Sequence, residues 1–211
     1  MSQDDDPIQY QLSDYGLDEI DEGGTGYDPT SRMRRRANEL DGKTWTKYSI
    51  SIWSDIRKSQ EELSLGHPAM FPAALASRLI EIFTNANDRV VLDPFVGVGT
   101  TALAAKQLGK MGVGIELNPS FAELARARCT TGGLFDLSGG EAVIHTANAL
   151  DLANYVADGS VDLVVTSPPY WDILTERRTA DYKEIRNYGD EEGDLGLIAD
   201  YNQFLKQLGL V

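Results

Sequence analysis

The sequence is short of cysteine, of long apolar runs and of basic charge. Its 211 residues include one cysteine, Cys129, so no disulfide can form within the chain. The sequence has two histidines in addition to this cysteine, which are too few ligands for a cysteine–histidine zinc site. No segment reaches the roughly eighteen consecutive apolar residues that indicate a membrane span, and the amino terminus is acidic where a signal peptide is basic. We therefore predict a soluble, cytoplasmic chain without a bound metal.

Basic charge is scarce, because 19 Lys and Arg stand against 33 Asp and Glu, a formal net charge of −14. This balance argues against nucleic-acid binding, since a DNA partner is usually met by a basic face. Residues 1–30, however, hold nine of the acids and no basic residue, so only −5 remains for the other positions. We predict that residues 1–40 form a disordered acidic leader with a basic cluster at 32–36, and that residues 41–211 form the folded domain.

Short apolar segments alternate with helix-like segments from residue 72 onward. The patterns predict helices over residues 72–83, about 101–108, 119–129 and 195–208, and strands over 89–92, 112–115, 142–145 and 161–165. Alternation at 47–53 indicates a further short strand or extended arm. Strand, helix, strand, helix, strand, crossover, strand is typical of an α/β fold with a parallel, doubly wound sheet.

The turn from the first of these strands into its helix reads Asp93-Pro94-Phe95-Val96-Gly97-Val98-Gly99-Thr100-Thr101-Ala102. Ligands of open parallel sheets bind at such strand ends, where glycines let the backbone approach and a helix leaves its first amides free. Glu116 ends the next strand, where a carboxylate can accept both hydroxyls of a ribose. The loop predicts a ribose-containing cofactor. The glycine pattern alone also fits an NAD-dependent dehydrogenase, although the Asp-Pro-Phe prefix favours an amino-acid-bearing cofactor.

A second motif, Ser167-Pro168-Pro169-Tyr170, opens directly off the fourth predicted strand. Two prolines stiffen the backbone and donate no hydrogen bond, so the segment presents acceptors, the Pro168 carbonyl and the Ser167 hydroxyl, to an amine. Tyr170 adds a flat face on which a base can stack. The motif predicts chemistry at an exocyclic amine, whose nitrogen becomes nucleophilic as its geometry shifts towards tetrahedral. A proline-rich turn without such a role is the simpler alternative.

Together these motifs resemble the amino-group DNA methyltransferases, which make N4-methylcytosine and N6-methyladenine. The resemblance runs from about Trp53 to Val211, and it includes His67-Pro68-Ala69-x-Phe71-Pro72 ahead of the glycine loop. It implies a Rossmann-like class I methyltransferase fold with a doubly wound, mostly parallel sheet, and S-adenosyl-L-methionine as the cofactor. Residues 41–211 would then be the catalytic domain.

The resemblance also assigns roles to residues. Ser167, Pro168, Pro169 and Tyr170 would be catalytic. The cofactor would be bound by His67, Phe71, Asp93, Pro94, Phe95, Gly97, Gly99, Thr100, Thr101, Glu116 and Asn148, with Asn148 standing where the family often has an Asp near the adenine ring. The partner would be DNA with a base flipped out of the duplex. Serine at the first motif position favours cytosine N4 over adenine N6, and methylation of an RNA base stays an alternative.

The resemblance implies about seven strands, whereas only four can be placed before residue 211. We therefore expect a sheet that is incomplete at the carboxy terminus. Either the sequence is a fragment of a longer protein, or a second polypeptide or dimer partner completes the sheet. A cofactor-binding or assembly subunit without turnover of its own is the alternative to an active enzyme. Residues 172–188 are basic and aromatic, which suits either contact with phosphates and bases or a solvated loop.

Overall fold

The structure is a computed structural model, and it describes residues 37–67, 69–130, 139–171 and 191–211. Residues 1–36 of the predicted acidic leader, including its basic cluster, and the basic and aromatic stretch at 172–188 lie outside the described residues and stay predictions. Asn38 is buried and donates its side-chain amide to the carbonyl of Ile82 at 2.8 Å. Packing onto the fold therefore begins before residue 41, inside the segment predicted to be a leader.

Helices and strands alternate through the middle of the chain, as the sequence patterns predict. The elements are α1 (Gly42–Tyr48), α2 (Gln60–Ser64), α3 (Ala73–Phe83), β1 (Val90–Asp93), α4 (Thr100–Gln107), β2 (Met111–Glu116), α5 (Pro119–Thr130), β3 (Glu141–Thr146), β4 (Leu163–Val164) and α6 (Tyr201–Leu208), with 3-10 turns at Ala149–Asn154 and Leu195–Leu197.

Four parallel strands form one sheet in the order β3-β2-β1-β4. Leu92 of β1 is paired with Val113 of β2 on one side and with Val164 of β4 on the other. The strand order therefore reverses at β1, which confirms the doubly wound α/β fold. Where such a reversal occurs, the two loops that leave the carboxyl ends of the neighbouring strands diverge, and a ligand crevice opens between them.

Helix α4 lies directly on the sheet because β2 carries glycine on the face beneath it. A Cβ at Gly112 would stand 2.5 Å from the backbone oxygen of Ala102, and one at Gly114 would stand 2.7 Å from the side chain of Val96. Two apolar clusters flank this contact. The first contains Ala76, Ile80, Val91, Ala104, Ala105 and Val165, and the second contains Val96, Ala102, Ala122, Ala125, Cys129 and Ile144. The close packing fixes the amino terminus of α4 at the end of β1.

The strand or extended arm predicted at 47–53 is wrong. Lys47 and Tyr48 end helix α1, which Asp41 starts by accepting hydrogen bonds from the amides of Lys43 and Thr44. Residues 49–53 form no strand. Trp53 instead donates its indole N–H to the carbonyl of Tyr48 at 3.0 Å. A capping aspartate outweighed the alternating pattern, since the pattern had no neighbouring strand with which to pair.

The single helix predicted over 195–208 is also wrong, because the segment forms a 3-10 turn and then α6. Asp200 interrupts it: its carboxylate accepts a hydrogen bond from the amide of Gln203 at 2.8 Å and so caps a new helix. Leu197 and Tyr201 are exposed, whereas Phe204 is buried. Aspartate favours the cap position over the helix interior, and this local preference divides the apolar pattern.

Strand β4 is shorter than predicted and covers only Leu163 and Val164. It pairs with β1, and no second neighbour pairs with it among the strands that the structure describes. The Val164 side chain is 52% exposed, which is high for a strand of a parallel sheet. Within the described parts of the chain, none of the helices has the length and apolar character needed to cross a membrane.

Candidate active site

A cleft of about 910 Å³, including its open mouth, lies at the carboxyl ends of the strands. Its walls come from the segment before α3, the loop between β1 and α4, the end of β2, the start of the Ala149–Asn154 turn, the loop after β4 and residues 191–195. The crevice expected where the strand order reverses is therefore present.

Most of the residues singled out from the sequence converge on this cleft. Those on its wall are His67, Phe71, Pro94, Phe95, Gly97, Thr100, Glu116, Asn148, Ser167 and Pro169. Asp93, Gly99, Thr101, Pro168 and Tyr170 are not part of the wall. The glycine loop and the Ser-Pro-Pro-Tyr motif, which are about 70 residues apart in the sequence, thus face one cavity.

Both glycines of the loop adopt backbone angles that other residues rarely adopt. Gly97 has φ of 55° and Gly99 has φ of 84°. A Cβ at Gly97 would lie 3.0 Å from Nε2 of His67, and a Cβ at Gly99 would lie 2.9 Å from the Cβ of Ala125. Gly97 therefore leaves room for the histidine at the cleft, whereas Gly99 lets helix α5 pack against the start of α4.

Glu116 joins the glycine loop to the end of β2. One carboxylate oxygen accepts a hydrogen bond from the amide of Gly97 and the other from the amide of Asn118, each at 2.8 Å. Burial raises the pKa of Glu116 above its usual range, and the two amide hydrogen bonds oppose that shift. Each oxygen keeps a second lone pair, so the carboxylate can accept further hydrogen bonds from a ligand while it holds the loop.

His67 is largely buried between the glycine loop and α5. Its ring meets the ring of Phe121 edge-on, with centroids 4.7 Å apart. Burial, with a smaller contribution from the charge of Lys58, lowers the pKa of His67 from 6.5 to about 4. Its Nδ1 accepts a hydrogen bond from the amide of Ala69 at 3.3 Å, so the neutral ring carries its proton on Nε2, next to Gly97. The cleft therefore has a neutral N–H donor on this side.

Glu62, which the sequence analysis did not consider, anchors the segment that carries His67. One of its oxygens accepts a hydrogen bond from the amide of Ser59 at 2.7 Å, and the other accepts one from the amide of Ala73 at 2.6 Å. The side chain is 7% exposed and so ties the first turn of α2 to the first turn of α3. The pattern Ser59-x-x-Glu62 is a capping box, which indicates the hydrogen bond from the Ser59 amide but not the one from the Ala73 amide.

The start of α4 offers an unused hydroxyl. Thr100 lies in the cleft wall, and its buried Oγ1 has no hydrogen-bond partner in the part of the chain that the structure describes. Buried hydroxyls are rarely left unpaired in proteins, so a ligand group in the cleft is the natural partner. Behind the loop, the buried Arg128 donates a hydrogen bond to the carbonyl of Val98 and holds the loop from below.

Asp93 lies behind the cleft wall. Its residue is 1% exposed, and its carboxylate accepts hydrogen bonds from the hydroxyls of Thr101 and Thr166 and from the amide of Phe95. Burial raises the pKa of Asp93, and these hydrogen bonds oppose the shift. With Thr101 equally buried, neither side chain has surface on the cleft. Direct contact of these two residues with a cofactor stays a prediction.

The Ser-Pro-Pro-Tyr motif leaves β4 with its polar groups near the cleft. The Ser167 hydroxyl and the Tyr170 hydroxyl are hydrogen-bonded to each other at 2.8 Å, and either can donate. Tyr170 is 50% exposed, so a partner can reach it from the solvent. Trp171 follows with φ of 55°, a strained value for a tryptophan, and its ring packs edge-on against Tyr201 of α6.

A wall of the cleft that the sequence analysis missed comes from residues 191–195. Gly193 has φ of 90° and approaches Asn148 so closely that a Cβ there would lie 2.5 Å from Nδ2 of that asparagine. Oδ1 of Asn148 accepts a hydrogen bond from the amide of Leu150, which caps the 3-10 turn. Asn148 thus keeps its place in the wall, but its acceptor oxygen already serves the backbone.

Comparison with known proteins adds a family to this geometry. The sequence profile described as DNA methylase matches residues 3–127, more than half of the chain. The chain belongs to the DNA methylase family. This confirms the resemblance to the amino-group methyltransferases and favours it over the dehydrogenase alternative.

The chain is also similar to individual proteins over part of its length. The Type II methyltransferase M.ScaI of Streptomyces caespitosus is 30% identical over 129 residues, 58% of this chain and 40% of that protein. M.HpaI of Haemophilus parainfluenzae is 44% identical over 62 residues, 29% of this chain and 19% of that protein. TTHA0409 of Thermus thermophilus, assigned as a DNA modification methylase and solved with S-adenosyl-L-methionine, shares 30% identity with a TM-score of 0.38 over 58% of this chain and 46% of that one. The chain spans less than half the length of each.

Proposed function

We propose that the protein is a DNA methyltransferase that moves a methyl group from S-adenosyl-L-methionine to an exocyclic base amine, with cytosine N4 favoured over adenine N6. The observation that carries the proposal is the single cleft shared by the glycine loop, Glu116 and the Ser-Pro-Pro-Tyr motif. Methyl transfer needs the donor and the acceptor nitrogen side by side, and this cleft has a wall suited to each. Membership of the DNA methylase family supports the same reaction.

The donor side of the cleft suits an amino acid joined to a nucleoside. The unpartnered Thr100 hydroxyl can donate a hydrogen bond to a carboxylate. It lies close to Gly97, where a Cβ would stand 3.0 Å from His67 and so reduce the space at the backbone. Glu116 has lone pairs available for the two ribose hydroxyls. When bound, S-adenosyl-L-methionine supplies a methyl group attached to a sulfonium sulfur. The positive charge on the sulfur makes the methyl carbon electrophilic. The donor set therefore fits this cofactor.

The acceptor side suits an amine. Two prolines leave the backbone with acceptors only, and Ser167 lies in the wall with its oxygen already oriented by Tyr170. Acceptors aimed at the amine hydrogens draw the nitrogen lone pair out of the ring plane and make it available for attack. The exposed ring of Tyr170 can replace the stacking that a flipped base loses. The neutral Ser167 hydroxyl is the basis on which we favour cytosine.

The proposal is tested by incubating the chain with S-adenosyl-L-methionine and mixed-sequence DNA and identifying the methylated nucleosides by mass spectrometry. N4-methylcytosine is the expected product, and a parallel incubation with RNA tests the alternative substrate. Pro168→Ala and Tyr170→Ala should abolish transfer and leave cofactor affinity unchanged. Loss of cofactor binding in these variants would contradict the division of the cleft into two sides.

A second candidate is a cofactor-binding subunit that needs another polypeptide for turnover. It is favoured by the 52% exposure of Val164 and by the open edge of β4 in the described sheet. Such an edge can accept a further strand. Cofactor binding without methyl transfer to DNA or RNA, followed by transfer once a carboxy-terminal partner polypeptide is added, would favour this candidate over the first.

A further inference from the structure

One buried carboxylate connects the two loops that face each other across the cleft. Asp93 ends β1. Its Oδ1 accepts a hydrogen bond at 2.6 Å from the hydroxyl of Thr166, the residue that precedes Ser167. Its Oδ2 accepts a hydrogen bond from the Thr101 hydroxyl at 2.7 Å, in the first turn of α4. The Phe95 amide, inside the glycine loop, donates to Oδ1 at 3.0 Å. A single side chain thus links the glycine loop and the start of α4 to the loop that carries Ser167.

The loop after β4 has few other contacts at this end. Strand β4 pairs with β1 through two residues, and Val165, which is buried, donates its amide to the carbonyl of Leu92 at 3.0 Å and accepts at its own carbonyl a hydrogen bond from the Thr101 hydroxyl at 3.3 Å. The next residue, Thr166, is exposed, so apolar burial does not fix it. Its hydroxyl nevertheless points inward to a carboxylate that is 1% exposed. Charge-assisted hydrogen bonds of this length are strong and directional.

We propose that Thr166 is a positioning residue, whose hydroxyl, held by Asp93, sets the distance between the Ser-Pro-Pro-Tyr motif and the glycine loop. The proposal rests on the proposed function, in which these two walls hold the amine and the methyl donor. Displacement at a methyl group requires the attacking nitrogen to stand in line with the bond that breaks. A shift of about 1 Å in such an arrangement can reduce the rate on the order of 100-fold. Thr166 acts through the neighbouring residue and does not touch the reacting atoms.

The decisive variant is Thr166→Val, which replaces the hydroxyl by a methyl group of similar size. A methyl carbon cannot stay 2.6 Å from a carboxylate oxygen, so the loop must move away from Asp93. We expect the rate constant for methyl transfer to fall roughly 10- to 100-fold, while the dissociation constant for S-adenosyl-L-methionine is unchanged. Thr166→Ser keeps the hydroxyl and should restore most of the rate. Thr46→Val, which removes an exposed hydroxyl bound to the Gly42 carbonyl in α1, is the matched control.

Hydrogen exchange measured by mass spectrometry on the full chain gives a second readout that does not need turnover. Exchange in the peptide covering residues 163–171 should be faster in Thr166→Val than in the wild type, and unchanged in Thr166→Ser and Thr46→Val. Equal exchange in all four proteins would overturn the inference, as would a wild-type transfer rate in Thr166→Val. If the wild type transfers no methyl group, the proposed function fails, and the exchange comparison still decides whether Thr166 positions the loop.

Discussion

The buried His67 predicts a loss of stability on the acid side of neutrality. In the unfolded chain a histidine takes up a proton near pH 6.5, whereas in the folded protein His67 does so only near pH 4. Protonation between these values therefore stabilises the unfolded chain, and the free energy of unfolding falls as the pH decreases through this window. A pKa difference of this size corresponds to about 3 kcal/mol, of which about 2 kcal/mol should be lost between pH 7.5 and pH 5.

The test compares urea unfolding of the wild type and of His67→Phe at pH 7.5, 6.5, 5.5 and 5. The phenylalanine keeps a ring in the gap between Gly97 and Phe121 but cannot be protonated. The variant should lose less free energy than the wild type as the pH falls, by about 2 kcal/mol at pH 5. Phe121→Leu is the control: it weakens the ring contact at every pH but keeps the histidine, so its pH dependence should follow the wild type.

The difference in the free energy of unfolding between the wild type and His67→Phe at any one pH is not informative, because replacing the ring changes packing as well as charge. The informative quantity is how that difference changes with pH. A difference that stays constant from pH 7.5 to pH 5 would show that His67 ionises in the folded protein as it does in the unfolded chain. The burial argument, and with it the neutral N–H donor assigned to this wall of the cleft, would then be refuted.

Two further substitutions test the cofactor wall. Glu116→Gln removes the charge that holds the Gly97 and Asn118 amides and should weaken S-adenosyl-L-methionine binding, measured by calorimetry, by roughly 1.5–3 kcal/mol, whereas the exposed Glu123→Gln should bind as the wild type does. Gly97→Ala forces a side chain into a left-handed backbone and towards the His67 ring, so it should lower the free energy of unfolding by about 1–2 kcal/mol and weaken cofactor binding. Gly42→Ala, where a Cβ would meet nothing, serves as its control, and equal affinities in the two glycine variants would contradict the close-approach argument.

The elements around the glycine loop were predictable because their signals are local. Val90–Asp93 is a short apolar run, the glycines mark the turn, and the small residues of α4 allow close packing on the sheet. The errors have local causes too. Asp41 and Asp200 cap helices, and neither cap was weighed against the apolar pattern next to it. The capping box formed by Ser59 and Glu62 is a local signal as well, and it indicates the bond from Glu62 to the Ser59 amide.

Other features depend on contacts between distant segments. No pattern in the sequence indicates that residues 191–195 close one side of the cleft, because Gly193 meets Asn148 only once the chain has folded. The same holds for Asp93. The family resemblance implies a cofactor contact for Asp93, which stays a prediction, and only the fold shows that its carboxylate is bonded to Thr101 and Thr166. A residue's type constrains what it can bind, but burial decides which partner it reaches.

The sequence by itself determined the parallel α/β order, the two motifs and the family, since each depends on residue types at short spacing. Only the tertiary structure decided that the motifs share one cleft, because strand β4 must cross to the far side of β1 before Ser167 comes near Gly97. It also decided the surroundings of the ionisable groups in the cleft and behind it. Burial lowers the pKa of His67 and raises the pKa values of Glu116 and Asp93, and burial depends on the packing of segments that lie far apart in the sequence.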